Sequence, residues 1–142
     1  MLFRSYFYDV GLASFLLGIE TPVQMQRDPL KGNLFENLIV MEFLKQRYNQ
    51  VKTNNLYFFR DSNGNEIDIF AEFPKGALAL EIKAGQTIST DFFKSLDYFE
   101  TASRLPSLKK VVVYGGKQDQ IRSTAHVYSH RHCAAVYRSM NE

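Results

Sequence analysis

The chain holds a single cysteine, Cys133, among 142 residues, and it has no tryptophan. A lone cysteine excludes an internal disulfide framework and any zinc site built on several thiolates. A reducing compartment suits such a chain, which reads as cytoplasmic. Long apolar runs are missing as well: no stretch approaches the roughly 20 residues that a membrane-spanning helix needs. Met1 to Val10 carries Arg4 and Asp9 where a signal peptide would hold an unbroken apolar core. No membrane partner is expected. There is no internal repeat, low-complexity tract or long linker, and no Gly-x-x-x-x-Gly-Lys-Ser/Thr stretch to cradle the phosphates of ATP.

With 45% hydrophobic and 23% charged residues, the composition is that of one globular domain. Twelve phenylalanines and eight tyrosines supply a core of useful size. The net charge of +2 hides an asymmetry: Met1 to Ser103 holds ten Lys/Arg against thirteen Asp/Glu, or −3, whereas Arg104 to Glu142 holds seven against two, or +5. The basic C-terminal part, with Lys109 and Lys110 at its head, is a candidate phosphate-facing patch, because sequence-independent nucleic-acid binding is mostly charge neutralisation. A solvated surface explains the same lysines.

Periodicity predicts the elements. Asp9 to Ile19 has helical spacing, with Asp9 as N-cap and Gly18 at its end. Glu20 to Lys31 reads as a loop because Thr21-Pro22 and Asp28-Pro29 place two residues before proline, and Gly32 closes it. A wide apolar stripe from Asn33 predicts a helix ending near Tyr48. Leu56 to Arg60 and Glu66 to Phe73 flank an Asn-Gly turn and read as a hairpin, with Ile67, Ile69, Ala71 and Phe73 on one face. Ala77 to Lys83 is a third strand, Thr87 to Glu100 a helix capped by Ser89 or Thr90 with Phe92, Leu96 and Phe99 on its stripe, and Leu108 to Tyr114 a further strand. Ala125 to Tyr128 and a terminal helix over Arg131 to Met140 complete a mixed sheet flanked by helices, an α/β sandwich.

Four polar positions stand out of this pattern: Glu36 on a helix, Asp68 at the head of a strand, and Glu81 and Lys83 on the next strand. Period-two alternation puts Glu81 and Lys83 on one face, and pairing with the preceding strand brings Asp68 to the same face. Two carboxylates beside an ammonium suit Mg²⁺ or Mn²⁺, held by one or two carboxylates, water and substrate phosphate. Each position also has a plainer reading. Glu36 completes a capping box with Asn33, Asp68 bonds the Asn63-Gly64 turn, and Glu81 and Lys83 lie on an exposed strand face. Arg60 either binds phosphate or pairs with Glu66. The spacing of His126, His130 and His132 with Cys133 matches no zinc pattern, and a solvated tail is the simpler account. Cys133 reads as a small apolar residue, and Tyr57 to Phe59, like Phe92 and Phe93, as core.

Asp68 followed by Glu81-Ile82-Lys83, with Glu36 on a preceding helix, resembles the PD-(D/E)XK signature of the restriction-endonuclease-like fold. The stretches Tyr8 to Leu12, Gly32 to Asn37, Tyr57 to Arg60, Asn65 to Ile69 and Glu81 to Gly85 resemble more closely the family catalogued as Domain of Unknown Function 4143. That resemblance runs over nearly the whole chain. It implies one nuclease-like domain over 1–142, with an N-terminal helix and loop over 1–31 and a PD-(D/E)XK-like core over 32–142. It further implies Asp68 and Glu81 as metal ligands, Lys83 as the catalytic-type lysine and Glu36 as an additional carboxylate. It also implies attachment to a prokaryotic AAA+ type ATPase, whose core is absent from this sequence. Two features depart from the signature: Ile67 stands where its proline would be, and no Gln-x-x-x-Tyr follows on the next helix. Two functions are thus expected. One is Mg²⁺- or Mn²⁺-dependent hydrolysis of nucleic-acid phosphodiesters, with Arg60, Lys109 and Lys110 as auxiliary contacts. The other is an inactive DNA-binding or protein-docking module of an ATPase.

Overall fold

The computed structural model describes residues 4–141, which run α1 (Val10–Leu16), α2 (Pro22–Arg27), α3 (Lys31–Asn49), β1 (Tyr57–Arg60), β2 (Glu66–Phe73), β3 (Gly76–Lys83), α4 (Lys94–Ser103), β4 (Leu108–Tyr114), β5 (Gln120–Ile121), β6 (His126–Ser129) and α5 (Cys133–Asn141). Short 3₁₀ turns, Thr90–Phe93 and His130–His132, lead into α4 and α5.

Side-chain caps open α1 and α2, whereas α3 and α4 begin without one. Asp9 Oδ1 accepts from the Leu12 amide at 3.0 Å and opens α1 as expected. The segment read as a loop contains α2, because Thr21 and Gln24 form a capping box and Pro22 occupies the first helical turn, where its missing N–H is no loss. The proline there starts a helix. Helix α3 begins at Lys31, so Gly32 and Asn33 lie inside it; Asp28 Oδ1 meets the Leu30 amide at 2.7 Å, and Asn33 caps nothing. Ser89, with its hydroxyl 3.3 Å from the Asp91 amide, caps the 3₁₀ turn before α4. It is Phe93, with Leu96 and Phe99, that α4 and its leading turn bury, while Phe92 is only partly covered.

The six strands form one sheet in the order β1-β2-β3-β4-β6-β5. The chain goes back and forth through β1, β2 and β3, then crosses over through α4 so that β4 lies parallel to β3, and β6 lies parallel to β4. A parallel neighbour requires such a crossover connection. The two-residue β5, too short for a periodicity signal, pairs antiparallel with β6 at the edge. One face of the sheet packs on α3 and α5, with Phe43, Leu78, Leu80, Val111 and Tyr137 fully buried; the other packs on α4 through Leu96, Phe99, Val112 and Val127. Each such large apolar side chain contributes roughly 1.5–3 kcal/mol on burial.

Two departures bear on the site. Ile67 packs with the α4 cluster while Ile69, Ala71 and Phe73 pack with the α3 cluster, so strict alternation breaks at Asp68. The β1–β2 register also shifts between Tyr57 and Phe59, the mark of a β-bulge, which re-aims side chains. The C-terminal residues are structural: Cys133, Val136, Tyr137 and Met140 share a buried helix face, with the Cys133 thiol donating to the His130 carbonyl oxygen. Burial, with the Glu42 charge adding to it, pushes that thiol up to about 12.

Candidate functional site

The site lies where β2 and β3 part company. The β2–β3 ladder runs from Phe73↔Gly76 to Ile69↔Leu80, and one residue further on Asp68 turns its side chain onto the backbone: its Oδ2 accepts from the Ile82 amide at 2.8 Å. This bond ties Asp68 to the strand that carries Glu81 and Lys83. The turn-bonding role falls instead to Asp61, whose Oδ1 takes the Asn63 and Asn65 amides.

On β3 the expected face holds. Ala79 packs inward against α4, and two residues on Glu81 is only 3% exposed. Lys83 Nζ sits 2.6 Å from Glu81 Oε2, while Glu81 Oε1 is buried with no hydrogen-bond partner. Glu81 is therefore no exposed strand residue. Burial, then the negative charge of Asp68, pushes its carboxyl up to about 7 against the opposing pull of Lys83. Gly115 holds the Lys83 backbone from behind, its amide 3.0 Å from the Lys83 carbonyl oxygen; a Cβ there would meet the Ala84 carbonyl oxygen at 2.5 Å, so only glycine lets β4 pass that close.

Glu36 reaches the same neighbourhood from α3. It faces inward because a segment before α1 crosses over it: Tyr6 donates to Glu36 Oε1 at 2.7 Å and Arg4 Nη1 lies 2.8 Å from the same oxygen. The segment is pinned by the buried Asn37, which accepts from the Phe7 amide at 2.8 Å and donates to the Phe7 carbonyl at 2.7 Å. Arg4 also pairs with Glu66 Oε2 at 2.5 Å and Asp68 Oδ1 at 3.3 Å, and its guanidinium lies 5.0 Å from the centre of the Phe58 ring. Arg60 pairs with Glu66 at 3.0 Å. Three cations, Arg4, Arg60 and Lys83, thus face four carboxylates, Glu36, Glu66, Asp68 and Glu81.

Glu36, Asp68, Glu81, Lys83 and Arg60 are therefore gathered in one region. Lys109 and Lys110 are not: they stand beside Leu78 and Ala79 in the parallel register, at the other end of β4 from Tyr114, the partner of Lys83. Lys110 is held by Asp97 and Glu100, and Lys109 by Ser139. Sequence reasoning missed Arg4 and Tyr6, named Glu66 only as the partner of Arg60, a pair the structure shows, and gave Asn37 no role. An arginine ahead of Tyr6-Phe7-Tyr8 carries no local signal of partners more than 30 positions away. Among the described residues, no three His, Cys, Asp or Glu side chains are set to hold a metal as they stand, and no helix is long and apolar enough to cross a membrane.

A layered α/β domain with a carboxylate–lysine cluster where its antiparallel hairpin meets its parallel strands is the class that these observations define. Residues 31–132, which include every strand and the carboxylates Glu36, Asp68 and Glu81, match the family described as domain of unknown function (DUF4143), and the chain belongs to that family. Uncharacterized proteins of Mycobacterium bovis and Mycobacterium tuberculosis are each 31% identical to it over 86 residues, 61% of this chain and 19% of each relative. The chain thus matches about a fifth of their length. No solved structure matches it.

Proposed function

We propose that this is a nuclease-like domain in which Asp68 and Glu81 hold Mg²⁺ or Mn²⁺ and Lys83 stabilises negative charge on a nucleic-acid phosphodiester undergoing hydrolysis. The observation that carries the reading is Glu81: its Oε1 is buried without a partner beside a second carboxylate, and its other oxygen is held by Lys83. A buried acceptor left unsatisfied costs roughly 1–3 kcal/mol, and a cation between Asp68 and Glu81 removes that cost and their mutual repulsion. The donor set is hard oxygen, and a pair of carboxylates is what Mg²⁺ takes when water and phosphate complete its shell. Bound there, the ion would supply Lewis-acid activation of water and charge neutralisation. Lys83 keeps its proton, because the surrounding carboxylates raise its pKa against burial, and so presents a fixed positive charge. Glu36, fixed by Tyr6, would add a further carboxylate beside them. The greater length of the relatives supports placing such a domain within a larger polypeptide, and the family resemblance makes an ATPase the proposed neighbour.

Arg4 favours a second reading. A guanidinium already shared among Glu36, Glu66 and Asp68 fits a module whose acidic cluster is closed and whose work is binding. The deciding experiment is cleavage of supercoiled, linear and single-stranded DNA and of RNA with Mg²⁺, Mn²⁺ or EDTA, beside Asp68→Ala and Lys83→Ala. Metal-dependent cleavage lost in both variants establishes the nuclease. Cleavage undiminished in both removes the assignment, and no cleavage on any substrate transfers it to the binding module.

A further inference from the structure

The geometry points to Arg4 as a tethered counter-cation: its guanidinium occupies the carboxylate cluster in place of a divalent ion, and the cluster takes up the ion by releasing Arg4. This rests on the reading of Asp68 and Glu81 as cation ligands. Arg4 Nη1 lies 2.8 Å from Glu36 Oε1 and 3.3 Å from Asp68 Oδ1, so one nitrogen bridges the helix carboxylate and the strand carboxylate. Its second nitrogen binds Glu66. Glu36 keeps Tyr6 as a donor if Arg4 leaves, and Asp68 keeps the Ile82 amide, so each carboxylate retains a partner. The tether is short, because the paired bonds between Phe7 and Asn37 hold the chain three residues away. Arg4 can swing out without unseating the segment behind it.

The same residue lines two cavities of about 640 Å³ each. One, towards α3 and β1, is lined by Met41, Leu56, Tyr57 and Phe58 and reaches Asp68; the other, towards α1, reaches Glu36 and Glu66. Arg4, Tyr6 and Arg60 line both. Neither lining includes Glu81 or Lys83, so the two cavities border the carboxylate cluster on its Arg4 side. Release of Arg4 also returns one unpaired positive charge beside the carboxylates it now bridges. A group that fills its site about nine-tenths of the time weakens the apparent affinity for a competitor about tenfold.

The test is Mn²⁺ binding by calorimetry to the wild-type chain, Arg4→Gln, Arg4→Lys and Arg4→Gln with Asp68→Asn, with folding of each checked by circular dichroism. Arg4→Gln should bind Mn²⁺ about tenfold more tightly, Arg4→Lys should fall between it and wild type, and the double variant should lose the gain. In the wild type, the Arg4 side-chain N–H resonances should move on Mg²⁺ addition towards those of a solvated arginine. Equal affinity in wild type and Arg4→Gln, abolished in the double variant, overturns the competition and leaves the cation site standing. Weaker binding in Arg4→Gln overturns it too, since Arg4 would then be orienting the carboxylates. No Mn²⁺ binding to any variant overturns the cation site itself, and the competition with it.

Discussion

Lys83 Nζ lies 2.6 Å from Glu81 Oε2, yet this contact leaves the other oxygen of the same carboxylate buried and unbonded. The pair is lopsided in solvent as well, with the Lys83 side chain 34% exposed and that of Glu81 4%. Burial and Asp68 therefore win over Lys83, and the carboxyl is held at about 7.

That displacement has a thermodynamic sign. Glu81 titrates near 4.3 when unfolded and near 7 when folded, so the fold prefers its protonated form. Its contribution is intact below the unfolded pKa and is lost as pH rises through about 7. Urea unfolding at pH 5, 6, 7 and 8 should show wild-type stability falling over this range relative to Glu81→Gln, by on the order of 2 kcal/mol. Glutamine copies the protonated carboxyl and does not titrate. Parallel profiles for the two proteins would mean that Glu81 is charged and satisfied in the folded state.

Helices α1 and α3 end in the same hydrogen-bonded motif with different residues at its critical position. After α1, Gly18 donates to Phe15 and Ile19 to Ser14; after α3, Val51 donates to Tyr48 and Lys52 to Arg47. Both central residues are left-handed, Gly18 at φ 72° and Val51 at φ 56°. The motif favours glycine, and a β-branched side chain there is strained by roughly 1–2 kcal/mol. Val51 is 97% exposed, so removing its side chain forfeits no packing. Val51→Gly should raise stability by about 0.5–1 kcal/mol and Gly18→Ala should lower it by about 1 kcal/mol, both read from thermal or urea unfolding. A destabilised Val51→Gly would show that the unfolded-state entropy of glycine exceeds the strain relieved.

The elements with a local signal were legible, and those settled by distant partners were not. Alternating residues on β3 place Glu81 and Lys83 on one face, and the spacing of Cys133, Val136, Tyr137 and Met140 carries a buried helix stripe in a segment whose histidines invite a solvated reading. Helix α2 was hidden because Pro22 both ends and begins helices, and the deciding Gln24 lies beyond it. The role of Glu36 looks like a cap because Asn33 precedes it by three, whereas the helix already begins at Lys31, upstream of Asn33, with no side-chain cap. Arg4 was invisible for a stronger reason: its partners are 32, 62 and 64 residues away. Long-range ion pairs obey no period.

Lys109 and Lys110 lie apart from the carboxylate cluster. Both sit beside Leu78 and Ala79, four to five residues along the sheet from the level of Lys83, a separation of roughly 13–17 Å at 3.3 Å per residue. Lys110 is 10% exposed and ties the strand to α4 through Asp97 and Glu100, two half-exposed carboxylates, so Lys110→Met should cost about 1 kcal/mol or less after solvent screening. A lysine that neutralises a phosphate steepens the dependence of log K on log salt by about 0.9, and its removal takes that amount away. Lys109→Ala with Lys110→Ala should therefore leave the salt slope of DNA binding, measured by fluorescence anisotropy, at the wild-type value, whereas Arg60→Ala should make it shallower. A slope reduced by nearly one unit for each of the two lysines would move the interface to the far end of β4 and away from the carboxylate cluster.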